Sequence, residues 1–537
     1  MVESDVLDVG PTVYGSREDL IMANEKATSL VIRSSIVASL GGLLFGFDTA
    51  VISGTTEALR SVFNLNDWTL GLTVSSALFG TILGAATIQY PTNRYGRKPT
   101  LIMIAALYLI SALGSAFPWN WSSFLFFRFI GGIGVGGASV VSPLYTAEIA
   151  PPKRRGFLVA LTQFNIVLGI LLAYINNFII AACHLGPSEW RWMFGVEAIP
   201  AFLFLVALFV NPESPRWLVT KNRVEEARKL FVKLVGSEEA ADEELKVVQQ
   251  AIDDERSVGK ERLFCWRYRK LIMLAICIAA FNQLSGINAI LYYAPKVFLL
   301  AGASDDMAMF FPTIIGLTNF IVTMLAIVVI DWFGRKTLML VGSIGYILSL
   351  GLVGTLFTVF SDEFNAQIER LDQQAAAVKV VKEKASIVAV EEAVEEEVPN
   401  VAEEEAAVEV VDATDAVSPV VSAIPKIGVF GVLVGLMVFI ASHGFGQGAC
   451  IWVFLSEIFP NSVRAQGQAL GCFTHWILNA CVSGLFPPLL GLIGPSAIFF
   501  MFAGFMVLQL LWTIFIMPET KQVPLEEMQK RLGITSK

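Results

Sequence analysis

The stretch Tyr-Gly-Arg-Lys at 95–98 lies between two long apolar runs, and a near copy, Phe-Gly-Arg-Lys at 333–336, lies between two others. Glycine permits a tight turn between helices, and the basic residues that follow it begin the next run. A spanning helix needs roughly 20 apolar residues, and the flanking runs reach that length. The repeated stretch therefore predicts a membrane protein whose two halves share one plan.

Two further pairs of motifs repeat in the same order. Tyr-Thr-Ala-Glu-Ile-Ala-Pro at 145–151 matches Phe-Leu-Ser-Glu-Ile-Phe-Pro at 454–460, and Pro-Glu-Ser at 212–214 matches Pro-Glu-Thr at 518–520. The first copies are offset by 238 residues and the later ones by 309 and 306, and a 64-residue insertion at 361–424 accounts for most of the difference. The repeat predicts two six-helix halves joined by a long central loop.

Composition and hydropathy extend this plan to the whole chain. Of its 537 residues 55% are hydrophobic and 16% are charged, and the mean hydropathy is +0.64, whereas soluble domains usually carry about a quarter charged residues. The first apolar run is too long for the core of a signal peptide, so we expect no cleaved leader. We predict twelve spans, near 29–53, 69–91, 98–117, 122–147, 157–181, 191–210, 269–300, 308–330, 337–360, 425–455, 465–490 and 494–516.

The basic residues predict the orientation of the chain. Clusters of Lys and Arg lie after spans 2, 4 and 8, with a single Arg after span 10, whereas the loops 117–121 and 301–307 contain no basic residue. Short cytoplasmic loops are enriched in Lys and Arg. Both termini are therefore predicted to be cytoplasmic, in a multi-pass protein of the plasma or inner membrane.

Two hydrophilic segments interrupt the spans. The segment 211–268 has apolar residues at helical spacing, which predicts a short intracellular helical domain. The segment 361–424 carries 16 acidic and 4 basic residues, a net charge of −12, so the rest of the chain is +3. We expect a solvated, largely mobile extracellular or periplasmic insertion, with a binding role as the alternative. The predicted plan is a tail at 1–28, a half at 29–210, the linker domain, a half at 269–516 and a tail at 517–537.

In this order, the motifs resemble those of the sugar porter family of the major facilitator superfamily. The resemblance covers the chain except its amino-terminal tail and the acidic insertion, and it rests on Gly-Arg-Lys after spans 2 and 8, Arg-Phe-Ile-Gly-Gly at 128–132, Pro-Glu-Ser-Pro-Arg-Trp-Leu at 212–218 and Pro-Glu-Thr-Lys at 518–521. The chain looks most like the bacterial proton-coupled sugar symporters. The resemblance implies an all-α membrane protein with the major facilitator fold that transports a monosaccharide by alternating access.

Opposite charges lie at the cytoplasmic ends of spans in both halves. Arg97 and Arg335 follow the turn glycines, and Glu148 and Glu457 end spans 4 and 10. The resemblance implies that these charges pair when the cytoplasmic side is closed and separate when it opens. Static charge complementarity at helix ends is the alternative. The predicted gate also includes Arg155, Glu213, Arg464 and Glu519.

Three charged residues lie inside spans of the first half, where charge is costly. Asp48, Arg128 and Glu197 lie six or seven residues from the outer ends of spans 1, 4 and 6, and at ~1.5 Å rise per residue they share one depth. One positive charge leaves one of the two carboxylates uncompensated. Binding a proton to a carboxylate removes the free-energy cost of burying that negative charge. Phe-Gly-Phe-Asp-Thr at 45–49 resembles the span-1 motif of proton symporters, which implies that Asp48 couples transport to protons; a permanent salt bridge is the alternative.

Neutral hydrogen-bonding groups and aromatic rings recur inside the spans, as a sugar site requires. The resemblance implies that hydroxyl groups are bound by Gln163, Gln283, Asn288, Asn319 and Trp452, and that Phe45, Tyr292 and Trp476 stack or gate. The predicted site also contains Asn282, Gly448, His475 and Asn479. Hydrogen bonding between helices is the alternative for any single amide.

Two members of this site depart from the family pattern. Asn282 stands where the family usually has Gln, and His475 stands where it usually has an amide, so the substrate is left open. His475 is either a neutral hydrogen-bonding group or a second group that titrates. Glycines at 286 and at 444–448 are expected to break or loosen spans 7 and 10.

The sequence thus predicts a proton-coupled sugar symporter that works as a monomer. Its expected partners are a sugar, protons and membrane lipid, with no cofactor, metal or nucleic acid. The sequence has no phosphate-binding loop and no spacing typical of nucleophilic catalysis, which disfavours an ATP-driven pump and an enzyme. A uniporter of sugar or of a polyol such as inositol stays open, whereas the stretch of only about 20 residues after span 12 disfavours a transporter-like sensor.

Overall fold

The computed structural model describes residues 17–151, 154–257, 262–363, 426–460, 462–521, 523 and 527–528. Most of the predicted acidic insertion, residues 1–16 of the first tail and most of the second tail lie outside the described residues. The described part contains 11 helical segments that are long and apolar enough to cross a membrane.

The last of these segments, Arg464–Phe515, contains two spans. Its 52 residues leave helical geometry at Gly494, where φ is 74° and ψ is 167°. A straight helix of that length would be more than twice as long as the ~30 Å core of a bilayer. The break at Gly494 therefore separates span 11 from span 12, and the predicted total of twelve spans is confirmed.

The spans follow the predicted order, with three of them divided by a break. In chain order they lie at Arg17–Val51, Asp67–Thr87, Arg97–Ala116, Trp121–Ile149, Arg155–Ala182, Glu189–Gly195 with Ala198–Val210, Arg269–Leu284 with Ile287–Tyr292, Asp305–Phe333, Arg335–Val359, Lys426–His443 with Ala449–Ile458, and the two parts of Arg464–Phe515. The apolar part of the first span, Thr28–Gly54, agrees with the predicted 29–53. Its helix begins earlier, at Arg17, because residues 17–28 are mostly good helix formers although they are polar.

The breaks in spans 7 and 10 lie at the predicted glycines. Gly286 adopts a left-handed conformation with φ of 82° between the two parts of span 7, which glycine adopts without steric cost. In span 10 a π-helical turn occupies Gly444–Gly448. Such turns free backbone groups and are frequent at functional sites.

Three helices between the halves form the predicted linker domain. They lie at Pro215–Thr220, Val224–Val235 and Glu238–Ser257, share a small apolar core around Trp217 and Phe231, and pack on spans 1 and 4. We call the side of the bundle that carries this domain the linker face, and the opposite side the far face.

The two halves pack together along spans 2 and 11 and along spans 5 and 8. A Cβ atom on Gly71 would overlap the carbonyl oxygen of Gly484, so the backbones of spans 2 and 11 touch there. The Ser75 hydroxyl donates to the carbonyl of Ala480 at 3.1 Å across the same interface. Small residues permit such close helix packing in membranes.

Further contacts close the halves against each other at the far face. The Tyr174 hydroxyl of span 5 donates to the carbonyl of Leu291 in span 7 at 2.8 Å. Glu57, just beyond span 1, forms an ion pair of 3.0 Å with Lys296, just beyond span 7. The far-face ends of spans 1 and 7 are therefore joined in this structure.

Candidate functional site

A buried ion pair joins spans 1 and 4. Arg128 Nη1 donates to Asp48 Oδ1, and Nη2 donates to the backbone carbonyl of Asp48 at 3.3 Å. Asp48 and Arg128 are 3% and 2% exposed. The Arg128 guanidinium carbon lies 5.3 Å from the centre of the Phe194 ring, and its Nε finds no acceptor among the described residues. Asp48 thus supplies the main compensation for this buried cation.

Glu197 belongs to the same charged cluster. It lies at the break of span 6, is 2% exposed and interacts electrostatically with both Asp48 and Arg128. The structure therefore brings together the three residues that the sequence predicts at one depth. Two carboxylates around one guanidinium form a group that can take up a proton without leaving a net charge in the interior.

A small cavity lies between the Asp48–Arg128 pair and residues of the second half. Its lining includes Asp48 and Arg128 of the first half and Tyr292 and Trp476 of the second half. Two of the predicted proton-coupling residues therefore share one space with two of the predicted substrate residues.

The amides of span 7 form a connected group. Gln283 Nε2 donates to Asn282 Oδ1 at 2.8 Å, and Asn288 Nδ2 donates to Gln283 Oε1 at 2.9 Å. The turn at Gly286 lets Asn288 reach back to Gln283 across the break. The ring nitrogens of His475 lie 3.2 and 3.3 Å from Gln283 Nε2. His475 therefore lies beside an amide of the predicted substrate site.

Aromatic rings surround His475. The Trp452 and Trp476 ring centres lie 5.2 and 5.0 Å from the centre of its imidazole ring. The Phe45 ring lies 5.7 Å from that of Trp476, across the boundary between the halves. Trp452 is 42% exposed, so one ring of this cluster remains available for contact. Such a surface suits the C–H face of a sugar ring.

The other predicted substrate residues make fewer hydrogen bonds in the described part of the chain. Asn479 Nδ2 donates to the Tyr292 hydroxyl at 3.4 Å, and Asn319 Oδ1 accepts from Thr323 at 3.5 Å. Within the described part of the chain, Gln163 and Asn319 make no hydrogen bond to the span-7 amides. Gly448 ends the π-helical turn of span 10.

Ion pairs at the linker face repeat in both halves. Arg97 Nε and Nη2 donate to the two carboxylate oxygens of Glu148 at 2.8 and 2.7 Å. Arg335 Nη2 donates to Glu457 at 2.8 Å. Each pair joins helices of a single half, and both are formed while the far face is closed. The predicted link between these pairs and closure of the linker face therefore stays a prediction.

Two other members of the predicted gate bind backbone groups. Glu213 accepts the N–H groups of Arg97 and Lys98 at 2.9 and 3.2 Å, and Glu519 accepts those of Arg335 and Lys336 at 3.0 and 3.1 Å. The first N–H groups of a helix lack partners within it, so these carboxylates cap spans 3 and 9. Burial raises the pKa of Glu213.

The glycines of the repeated stretch make this capping possible. Gly96 and Gly334 have φ of 114° and 83°, and a Cβ atom on either would meet the carboxylate of Glu213 or Glu519. The remaining predicted gate residues donate to backbone carbonyls, Arg155 to Ala150 at 3.5 Å and Arg464 to Phe459 at 3.3 Å.

A buried polar chain in the second half was missed by the sequence interpretation. The Tyr346 hydroxyl lies 2.6 Å from His443 Nδ1 and donates to Gln447 Oε1 at 3.2 Å, Gln447 Nε2 donates to Gln509 Oε1, and Gln509 Nε2 donates to Ser343 Oγ at 2.8 Å. It ties spans 9 and 12 to the π-helical turn. The available signal was the pair of glutamines inside apolar spans, which need partners there.

Comparison with known proteins agrees with this architecture. The family model described as "Sugar (and other) transporter" matches residues 34–370 and 410–532. The D-xylose-proton symporter of Escherichia coli is 34% identical over 95% of this chain and 97% of its own length, and the arabinose-proton symporter of Bacillus subtilis is 31% identical over 93% and 94%.

Solved structures give the same result. The xylose transporter XylE from E. coli, in a partially occluded inward open conformation, has a TM-score of 0.71 and 32% identity over 92% of this chain and all of that one. The same transporter bound to 6-bromo-6-deoxy-D-glucose has a TM-score of 0.68 and 33% identity over 94% and 99%. Because its motifs, its twelve spans and these matches agree, the chain belongs to the sugar transporter family: it is a multi-pass membrane transporter with the major facilitator fold, and not an enzyme.

Proposed function

We propose that the protein is a symporter that couples the entry of a monosaccharide to the entry of a proton. One observation carries this proposal: the Asp48–Arg128 pair lines the same cavity as Tyr292 and Trp476. The relatives named as proton symporters of xylose, arabinose and galactose support it. Their names support a small neutral sugar as the proposed substrate and select none.

Asp48 is the proposed proton acceptor. When the carboxylate is ionised it holds the Arg128 guanidinium between spans 1 and 4. Protonation removes the charge that holds the guanidinium, and Glu197 is then the second carboxyl group of the cluster that interacts with Arg128. Two carboxyl groups around one guanidinium thus allow Asp48 to alternate between its ionised and protonated forms at a limited cost in uncompensated buried charge.

The sugar is proposed to bind between the amides of span 7 and the aromatic rings near His475. Gln283 and Asn288 offer donors and acceptors for hydroxyl groups, and Trp452 offers an indole ring. Because the cavity takes residues from both halves of one chain, we propose that the monomer is the working unit. The halves would rock along the interfaces of spans 2 with 11 and 5 with 8.

The linker face is proposed to be cytoplasmic, with both termini on that side. Basic residues after spans 2, 4, 8 and 10 support this orientation. The pairs Arg97–Glu148 and Arg335–Glu457 would hold each half rigid during rocking, and their rearrangement would accompany the opening and closing of that face.

Uptake into proteoliposomes tests the proposal. Labelled D-xylose, L-arabinose, D-galactose and D-glucose are each offered with an acidic exterior and with equal pH on both sides. We expect one or more to accumulate only with the acidic exterior. Asp48→Asn should lose accumulation and keep equilibrative exchange, whereas Asp306→Asn, which removes an exposed carboxylate at the far face, should behave as wild type. Equilibration unaffected by the pH gradient in the wild type would refute symport and favour a uniporter.

A further inference from the structure

A basic and aromatic segment lies where the linker domain meets span 7. Residues 262–270 read Arg-Leu-Phe-Cys-Trp-Arg-Tyr-Arg-Lys, with four cationic side chains, three aromatic rings and no acidic residue. The apolar stretch of span 7 begins at Trp266. The segment therefore lies at the boundary between the membrane and water on the linker face.

Two buried side chains fix this segment to the second half. Leu263 and Tyr268 are 1% and 2% exposed and pack into the same apolar core as spans 7, 9 and 10. The backbone N–H of Leu263 donates to the Gln466 side-chain oxygen at the start of span 11, at 2.9 Å. A short turn between them is closed by the N–H of Tyr268 donating to the carbonyl of Cys265 at 3.1 Å. These contacts hold the segment in one defined conformation on the protein surface.

The residues between these anchors point away from the protein. Phe264 is 76% and Trp266 is 80% exposed. The guanidinium carbon of Arg269 lies 3.8 Å from the centre of the Trp266 ring, a stacking geometry in which a cation and an aromatic face attract each other. Arg262 and Lys270 are also exposed. Large rings and cations thus share one face.

We propose that the segment 262–270 binds the head group of an anionic phospholipid in the leaflet at the linker face. Aromatic side chains favour the level of the lipid head groups because one end is apolar and the other polar. Lys and Arg next to a membrane surface attract anionic lipids. The two exposed rings favour a lipid over a free anion, since a soluble phosphate would leave Phe264 and Trp266 in water. This site goes beyond the proposed transport activity, and its test does not require transport.

The direct test is lipid binding to the purified protein in detergent micelles, followed by thermal unfolding. Short-chain phosphatidylglycerol is titrated against phosphatidylcholine with the same chains, and glycerol 3-phosphate is titrated separately. We expect phosphatidylglycerol to raise the melting temperature at lower concentration than phosphatidylcholine, and glycerol 3-phosphate to have no effect. An equal response to glycerol 3-phosphate would show an anion site without lipid specificity and would refute the proposal.

Substitutions locate the site. Each cation near a membrane surface contributes about fivefold in affinity, so Arg262→Gln, Arg269→Gln and Lys270→Gln together should raise the half-maximal phosphatidylglycerol concentration about a hundredfold. The matched control removes three exposed cations of the linker domain, Lys229→Gln, Lys233→Gln and Lys246→Gln, and should leave that concentration unchanged.

A triple variant that keeps wild-type affinity within twofold would overturn the proposal, and so would a control variant that loses as much affinity. If the triple variant does not fold, Arg262→Gln alone should lose about fivefold, and unchanged binding by that variant would count equally against the site. Trp266→Ala, which keeps every charge, should weaken binding several-fold because the ring under Arg269 is lost.

Discussion

Glu213 and Glu519 occupy equivalent places in the repeat, yet removing their charges should affect stability differently. We expect Glu519→Gln to destabilise the folded protein and Glu213→Gln to be nearly neutral. Both carboxylates cap the start of a span and both lie at the linker face. The difference arises from how their two oxygens are used.

Both oxygens of Glu519 accept backbone hydrogen bonds. Oε1 accepts from Arg335, Thr520 and Lys521 at 3.0, 2.9 and 2.9 Å, and Oε2 accepts from Lys336 at 3.1 Å. A glutamine has one oxygen, so its NH₂ group must face an N–H donor. The lost charge-assisted bond and the lost interaction with the helix dipole together cost about 2–3 kcal/mol.

Glu213 uses a single oxygen for its backbone contacts. Oε1 accepts from Arg97, Lys98 and Ser214 at 2.9, 3.2 and 2.8 Å, and a glutamine can place its oxygen there. Burial raises the pKa of Glu213, so the folded protein favours the neutral side chain more than the unfolded chain does. The substitution should therefore cost less than about 1 kcal/mol, mainly from the helix dipole.

Thermal unfolding of the two variants in the same detergent measures this difference, with wild type as the reference. Because the raised pKa means that the folded state binds the proton more tightly, the contribution of Glu213 to stability falls as pH rises from its ordinary value of 4.5 through the raised value. Glu213→Gln should remove that part of the pH dependence. An equal loss of stability in both variants, or a larger loss for Glu213→Gln, would refute the reasoning.

Two further outcomes follow from one contact between the halves and one contact within the second half. Lys296→Glu places like charges where the 3.0 Å ion pair with Glu57 joins the halves. Because both side chains are partly exposed, the free energy should shift toward an open far face by only about 1 kcal/mol. Faster labelling of a cysteine introduced at Thr49 would show this opening. The charge exchange Glu57→Lys with Lys296→Glu should restore the wild-type labelling rate. Unchanged labelling of Lys296→Glu would contradict the prediction. Gln509→Leu leaves the buried amide of Gln447 without its acceptor and should lower stability by about 1–3 kcal/mol, whereas leucine at both positions should recover part of the loss in melting temperature.

The helices and the charged cluster could be predicted because their signals are local. An apolar run long enough to span a bilayer is visible in the sequence, and the depth of Asp48, Arg128 and Glu197 follows from counting residues along spans. The break at Gly286 was predictable for the same reason, since glycine interrupts a span there. The predicted start of span 1 agrees with the apolar segment Thr28–Gly54, whereas the helix itself begins earlier, at Arg17, because hydropathy indicates the membrane-crossing part and not the end of a helix.

The partners of individual polar groups could not be predicted, because they depend on how distant helices meet. Glu213 was expected in an ion-pair gate, and the structure pairs it with backbone N–H groups 115 and 116 residues away in sequence. Tyr346, Gln447 and Gln509 each read as an isolated polar residue, and only the packing of spans 9, 10 and 12 connects them.

Sugar-dependent proton movement tests the proposed symport most directly. The protein is reconstituted in liposomes that enclose a pH-sensitive dye, the membrane potential is clamped at zero, and a sugar that the uptake assay shows to be transported is added outside at equal pH. We expect the interior to become acidic as sugar enters, and the signal to be lost in Asp48→Asn. Entry of sugar without any change of internal pH would contradict it.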